Sequence, residues 1–238
     1  MTSRLPRTIV AELGKLAGLP AAVAAVAGTI AVTVLLVAAL AASAPSGSDA
    51  GRVVVAAMPF LQVGPILLGV VAAGSEYAGR QVFTSLTVTP ARLLFLTGKT
   101  LAFLVVTITL SVLTVGAGTV TALVALAVRG EHAPVDGRPL AGAAAYLVLI
   151  GLLALALAVL LRSQLPPLVA MLGLVLVLSP LLSGLTEHAR WLPDRAGSLL
   201  YQPGADTVLT PATGVLVLLC WTAATGAAAA VAFLSRDA

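Results

Sequence analysis

Residues whose type and spacing could support chemistry are few and scattered. Gly98-Lys99-Thr100 imitates the end of a phosphate-binding loop, but that motif also needs a glycine five residues before Gly98, where Leu93 stands. The run Leu93-Leu94-Phe95-Leu96 cannot form the bare-backbone cradle that phosphates require. Lys99 therefore reads as an anchor of a membrane span at the inner surface, and the chain is not expected to bind ATP by itself. His132 and His188 stand far apart, without metal-ligand spacing. Cys220 lies in an apolar run and reads as a small buried hydrophobe. There is no His-Glu-x-x-His, no nucleophile elbow and no pair of acids inside an apolar segment. The expectation is a chain that is not an enzyme, with no catalytic, cofactor-binding or metal-binding residues of its own.

The elements that carry these residues are set by composition. Apolar residues make up 60% of the 238 and charged residues 9%, from 13 basic and 9 acidic side chains. A soluble domain carries roughly 25% charge, and a chain this poor in it cannot cover itself with polar surface. That excludes a soluble enzyme, a nucleic-acid module and a disordered tail. Charges instead divide the chain into uncharged windows at 16–48, 53–75, 100–128, 139–161, 163–186 and 207–235. The shortest holds 23 residues, and about 20 suffice to cross a hydrocarbon core. Continuous apolar runs of this length are helices rather than barrel strands, which alternate over about 10 residues. In lipid, moreover, every backbone hydrogen bond must close internally.

The reading is an all-α integral membrane protein with six transmembrane helices at approximately 20–43, 53–75, 99–128, 139–161, 165–185 and 210–234, all within one domain over 20–235. With both termini on one side, that side holds Arg4, Arg7, Lys15, Arg80, Arg92, Lys99, Arg162 and Arg236, eight basic residues against five on the other. The positive-inside rule then places both termini in the cytoplasm of a multi-pass cell-membrane protein. Ala42-Ser43-Ala44 resembles a signal-peptidase site, but the stretch from Pro20 to Ala42 is longer than a signal core.

Two pieces outside the spans carry pattern. Leu5, Ile9, Leu13 and Leu16 fall on one helical face with Arg4, Arg7 and Lys15 elsewhere, which predicts an interfacial amphipathic helix over 1–19. Between the second and third spans, segment 76–92 places Val82, Phe83 and Leu86 on a short apolar face, with Thr89 as a cap and Pro90 at a first helical position. Such a piece serves either as a short helix docking on a cytosolic partner or as a loop whose Arg80, Arg92 and Lys99 fix topology. A loop with short helices is expected over 186–208, outside the cell, where Trp191, Tyr201 and Leu199-Leu200 would rest at the interface or shape a gate.

A resemblance decides between the readings of 76–92. Glu12-Leu13-Gly14-Lys15-Leu16, followed by Pro20, resembles the leader helix of the permease subunits of type-two ATP-binding-cassette exporters, and in particular of the small actinobacterial kind. Glu76-Tyr77, Gly79-Arg80, Thr84-Ser85-Leu86, Pro90-x-Arg92 and Lys99 resemble that family's signature between spans two and three. Trp191-Leu192-Pro193 through Leu199-Leu200, and Arg236-Asp237, also match, whereas Gly79-Arg80-Gln81 replaces the more usual Gly-Thr-Ile/Val run. The resemblance implies a cytoplasmic coupling helix within 76–92, with Glu76, Tyr77, Gly79, Arg80, Phe83, Leu86, Pro90 and Arg92 facing a separate cytosolic ATPase and Glu12 and Lys15 on the leader helix. It implies that ATP and Mg are bound by that partner, that two permease chains, identical or different, pair in the bilayer, and that a drug, peptide or lipid-like molecule is exported.

Inside the spans, Pro59, Gln62 and Pro65 put two helix breakers and an amide in the second. Thr107, Thr109, Ser111 and Thr114 add hydroxyls to the third. Pro59, Gln62, Pro65, Thr107 and Ser111 are candidates to line a pathway, although such hydroxyls commonly satisfy a helix carbonyl. The windows hold no ionisable residue, which disfavours an ion-coupled carrier. Such a carrier would need a relay at a window edge, at Glu76 or Asp206. A non-transporting membrane anchor or sensor subunit is the other alternative.

Overall fold

The computed structural model describes residues 4–78, 92–131 and 134–235, and every regular element among them is helical. Six helices are long and apolar enough to cross a membrane: Pro20–Ala42, Ala50–Tyr77, Leu93–Val128, Gly137–Leu161, Leu165–Leu185 and Pro211–Ser235, called here the first to sixth spans. A separate helix, Arg4–Gly18, precedes them and is called the leader helix. Gly79, Arg80, Phe83, Leu86 and Pro90, and with them the expected coupling helix, lie outside the described residues, as does His132.

The second and fourth spans form the middle of the bundle. Buried residues make up 67% and 56% of their most apolar stretches, against 17% in the first and fifth spans and 11% in the sixth. Apolar faces of the latter three are left to lipid. Met58, Ile66, Phe103, Tyr146, Leu147 and Ile150 fill the centre and are wholly buried. The second and fourth spans meet backbone to backbone: a Cβ on Gly69 would lie 2.6 Å from the Gly151 carbonyl oxygen and 2.9 Å from the Leu155 nitrogen. Only glycine permits that approach.

The second span is two helical pieces, Ala50–Leu61 and Val63–Ala78, joined at Gln62. Pro65 has no N–H to give the Leu61 carbonyl, and its ring crowds that turn. At the break the Gln62 side chain folds back on its own helix, its Nε2 donating to the Pro59 carbonyl at 3.0 Å. The fifth span carries a widened π-turn at Leu174–Leu178, just before Ser179 and Pro180. In a regular turn the Pro180 ring would crowd the Leu176 carbonyl, and the wider turn relieves it.

The third span's helix begins at Arg92 and runs 37 residues, about 55 Å at 1.5 Å per residue. It exceeds a bilayer core by several turns, so its first turns, with Phe95 and Lys99, project to the end of the bundle where the leader helix lies and the sixth span finishes. That end is called the terminal face and the opposite one the distal face. The leader helix packs on these projecting turns, where a Cβ on Gly98 would lie 2.5 Å from the Thr8 methyl. Its predicted apolar face, with Leu5, Ile9, Leu13 and Leu16 half-buried, is therefore turned toward protein.

On the distal face, segment 186–208 folds as a 3₁₀ turn, Glu187–Trp191, and a short helix, Pro193–Ser198. The helix wedges between the fourth and sixth spans, with Gly197 against the Tyr146 ring and Gly214 against the Ala196 carbonyl. Leu199 and Tyr201 are buried there, while Trp191 stays half exposed and its carbonyl accepts from Trp221 Nε1 at 3.0 Å. Cys220, expected to be buried, is exposed. It lies on the sparsely covered sixth span, where an apolar residue needs only lipid.

Candidate functional site

Four charged side chains from three helices meet at the terminal face. Glu12 and Lys15 stand one turn apart on the leader helix, Glu76 ends the second span, and Lys99 lies two turns into the third-span helix. Lys15 Nζ is 2.5 Å from Glu12 Oε1 and 3.1 Å from Glu76 Oε1. Lys99 Nζ is 2.9 Å from Glu12 Oε2 and 3.1 Å from Glu76 Oε1. Each carboxylate thus touches both ammonium groups, and the contacts close a ring. Lys99 also donates to the Ala72 carbonyl at 3.2 Å. Both lysines sit over the Phe95 ring, 5.4 and 5.6 Å from its centroid. Phe95 in turn stacks on Phe233 of the sixth span.

Burial sets the energetics. Glu12 is 3% exposed, Glu76 4% and Lys99 6%, whereas the Lys15 side chain is 41% exposed. Taking a charge out of water costs several kcal/mol, and attraction recovers it only where all members are paired. At Lys15, burial pulls the ammonium pKa down, but the Glu12 and Glu76 carboxylates more than offset it and the net shift is upward. By sign, that contribution is fully present below the ordinary lysine range and is lost as pH rises through the raised value. The ring is a joint: two charges of each sign, net neutral, tying the leader helix to the two helices that flank segment 79–91.

The ring revises two expectations. Lys99 does not reach out as a surface anchor. Nor is the interior free of ionisable groups, since Glu12, Glu76, Lys99 and, near the distal face, Asp194 are all buried. Sequence windows miss them because each lies at a window edge or outside a span and is carried inward by packing. Glu12, Lys15 and Glu76 are brought together as one site. Tyr77 lies beside it, half-buried, in a narrow crevice with Ala73, Phe95, Leu96 and Val159. Arg92 begins the third-span helix, and its side chain lies outside the described residues. Phe95 gives no signal in the sequence beyond being a lone aromatic one turn before Lys99.

The intramembrane candidates divide. Gln62 is buried, and its Oε1 accepts a short hydrogen bond from the Tyr146 hydroxyl of the fourth span. Pro65 is buried where three spans converge: a Cβ on Gly151 would lie 3.2 Å from the Pro65 Cβ and 3.0 Å from Thr107 Oγ1. Pro59 is exposed, on the side of the helix away from the bundle. Thr109 satisfies its own helix at Val105, as expected. Thr107, Ser111 and Thr114 do not: their hydroxyls are fully buried without a hydrogen-bond partner among the described residues. They share one face of the helix, at spacings of four and three.

Among the described residues no three His, Cys, Asp or Glu side chains gather as a metal site would require. No family model matches the chain, and no curated protein matches it.

Proposed function

We propose that this chain is the membrane-spanning permease subunit of an ATP-driven exporter of the ATP-binding-cassette, type-two kind. It works as a pair of permease chains with a separate cytosolic ATPase, which binds ATP and Mg. Both termini and the charge ring then face the cytoplasm of the cell membrane, as the basic-residue bias favours. The cargo is a drug, peptide or lipid-like molecule, in keeping with walls that carry no fixed charge in mid-membrane. The signature residues from Glu76 to Lys99, together with the leader pattern around Glu12 and Lys15, support the family reading.

The single observation that carries the mechanism is the ring. It fastens the leader helix to both helices that flank segment 79–91. A push from an ATPase on Arg80, Phe83, Leu86 or Arg92 would reach the second and third spans and the leader helix together. The bundle would then repack between inward- and outward-open forms. In a carrier, Glu76 would have to cycle a proton, yet here it is engaged by two ammonium groups and serves as part of a joint.

Purification from its native membrane tests the reading. The chain is expected to bring down a nucleotide-binding protein whose ATP turnover depends on it. Finding no such protein in mild detergent or nanodiscs would favour the anchor alternative. Uphill solute movement by the purified chain alone, without nucleotide, would favour a carrier.

A further inference from the structure

We propose that a cleft on the distal face binds the phosphodiester headgroup of an anionic phospholipid, with Arg195 as its main ligand. The cleft has a volume of about 500 Å³ and lies between the last turn of the fifth span and the wedge helix. Its lining includes Ser183, Leu185, Arg190, Arg195, Gln202 and Asp206.

Charge accounting points to an anion. Arg190 is already neutralised: Glu187 lies 3.2 Å from its Nη2 and Asp206 3.7 Å from its Nη1. Arg195 has no carboxylate within ion-pair distance among the described residues. It donates from Nη2 to the neutral Ser183 Oγ at 2.9 Å, and its Nε is buried without an acceptor among the described residues. Its sequence neighbour Asp194 attracts it only through space: that carboxylate accepts from Ser179 Oγ at 2.5 Å and makes no ion-pair contact with Arg195. Both acids that line the cleft, Glu187 and Asp206, sit on Arg190, which leaves Arg195 as a guanidinium without a carboxylate in ion-pair contact, and its fork of donors matches a phosphate.

Depth points to a lipid. Leu185 lines the cleft at the very end of the fifth span and is 81% exposed, and Leu181, one turn deeper, is also exposed. An acyl chain can run along this apolar edge while its headgroup sits at the arginine. Half-exposed Trp191 follows the cleft's Arg190 in the chain and accepts at its carbonyl from half-exposed Trp221, an aromatic pair of the kind found at a bilayer interface. A net-anionic lipid is favoured over a zwitterionic one because a zwitterionic headgroup carries its own cation beside the phosphate, in competition with Arg195. The inference rests on the membrane-spanning reading and does not depend on transport or on an ATPase.

The full chain in nanodiscs of equal parts phosphatidylglycerol and phosphatidylcholine provides the test, with retained lipid counted by native mass spectrometry. Retention of phosphatidylglycerol over phosphatidylcholine is expected. Arg195→Ala should weaken it roughly tenfold or more, Arg195→Lys should weaken it less, and Arg52→Ala, in a neighbouring cleft, should leave it unchanged. A circular-dichroism melt confirms that each variant is folded. Equal retention of both lipids, or retention that survives Arg195→Ala in a folded protein, overturns the proposal. Saturable, Arg195-dependent binding of inorganic phosphate without lipid retention also overturns it, in favour of a soluble anion.

Discussion

At the terminal face four buried charges close a ring in which every carboxylate meets two ammonium groups. In the interior of the third span, the hydroxyls of Thr107, Ser111 and Thr114 are equally buried and meet no hydrogen-bond partner among the described residues. Both regions place polar atoms away from water, where an unpaired group is costly. The ring meets that cost with geometry contributed by three helices, which fixes their relative positions. The hydroxyl row has no such partners among the described residues and fixes no neighbouring helix by hydrogen bonding.

The largest effect should come from breaking the ring. Lys99→Met leaves Glu12 and Glu76 sharing only the half-exposed Lys15, and a buried pair robbed of one partner loses roughly 3–5 kcal/mol. Thermal unfolding in detergent should show this loss, and Glu12→Gln added to Lys99→Met should restore part of it by removing one charge of each sign. A silent single variant would mean that the ring is not closed in the bilayer.

Next in size, Gly142→Ala should cost roughly 1–3 kcal/mol by overpacking, because a Cβ there collides with the Leu200 carbonyl beneath the distal segment. Limited proteolysis should show faster cleavage within 199–206, with the terminal face unaffected. Thr107→Val has the opposite sign. Replacing an unsatisfied buried hydroxyl by an isosteric methyl should stabilise the fold by about 1 kcal/mol, and destabilisation would show that the hydroxyl has a partner.

The smallest effect is a pH slope at the distal wedge. Burial pushes the Asp194 carboxyl above its ordinary range, with Ser179 and the Arg195 charge opposing. The buried Tyr146 and Tyr201 are its other titratable neighbours. A raised carboxyl contributes stability that is fully present below its ordinary pKa and is lost as pH rises through the raised value. The wedge should loosen with rising pH over that window, and Asp194→Asn should flatten the slope in hydrogen exchange of residues 193–201.

Six crossing helices were legible in the sequence because lipid imposes a length and an apolarity that no other class of chain meets. The break at Gln62 was legible from two prolines. The ring was only half legible. Glu12 and Lys15 one turn apart, and Glu76 and Lys99 at the edges of facing windows, showed complementary charge. Their meeting, however, depends on how far the leader helix folds back over the third span, which no local pattern encodes. Phe95 and Asp194 were invisible for the same reason, their roles arising from neighbours distant along the chain. The hydroxyls of the third span were misjudged because a serine or threonine in a helix usually finds the carbonyl four residues back, as Thr109 does and Thr107 does not.

The account turns on motion passing through the ring from an ATPase to the distal face. With the exposed Cys220 replaced by alanine, spin labels at Val135→Cys and Val208→Cys report the width of that face in the partner-bound protein in nanodiscs. ATP should change this distance in the parent chain, and the paired Glu12→Gln/Lys99→Met variant should abolish the change while partner binding and hydrolysis continue. An equal change in both proteins would contradict the account.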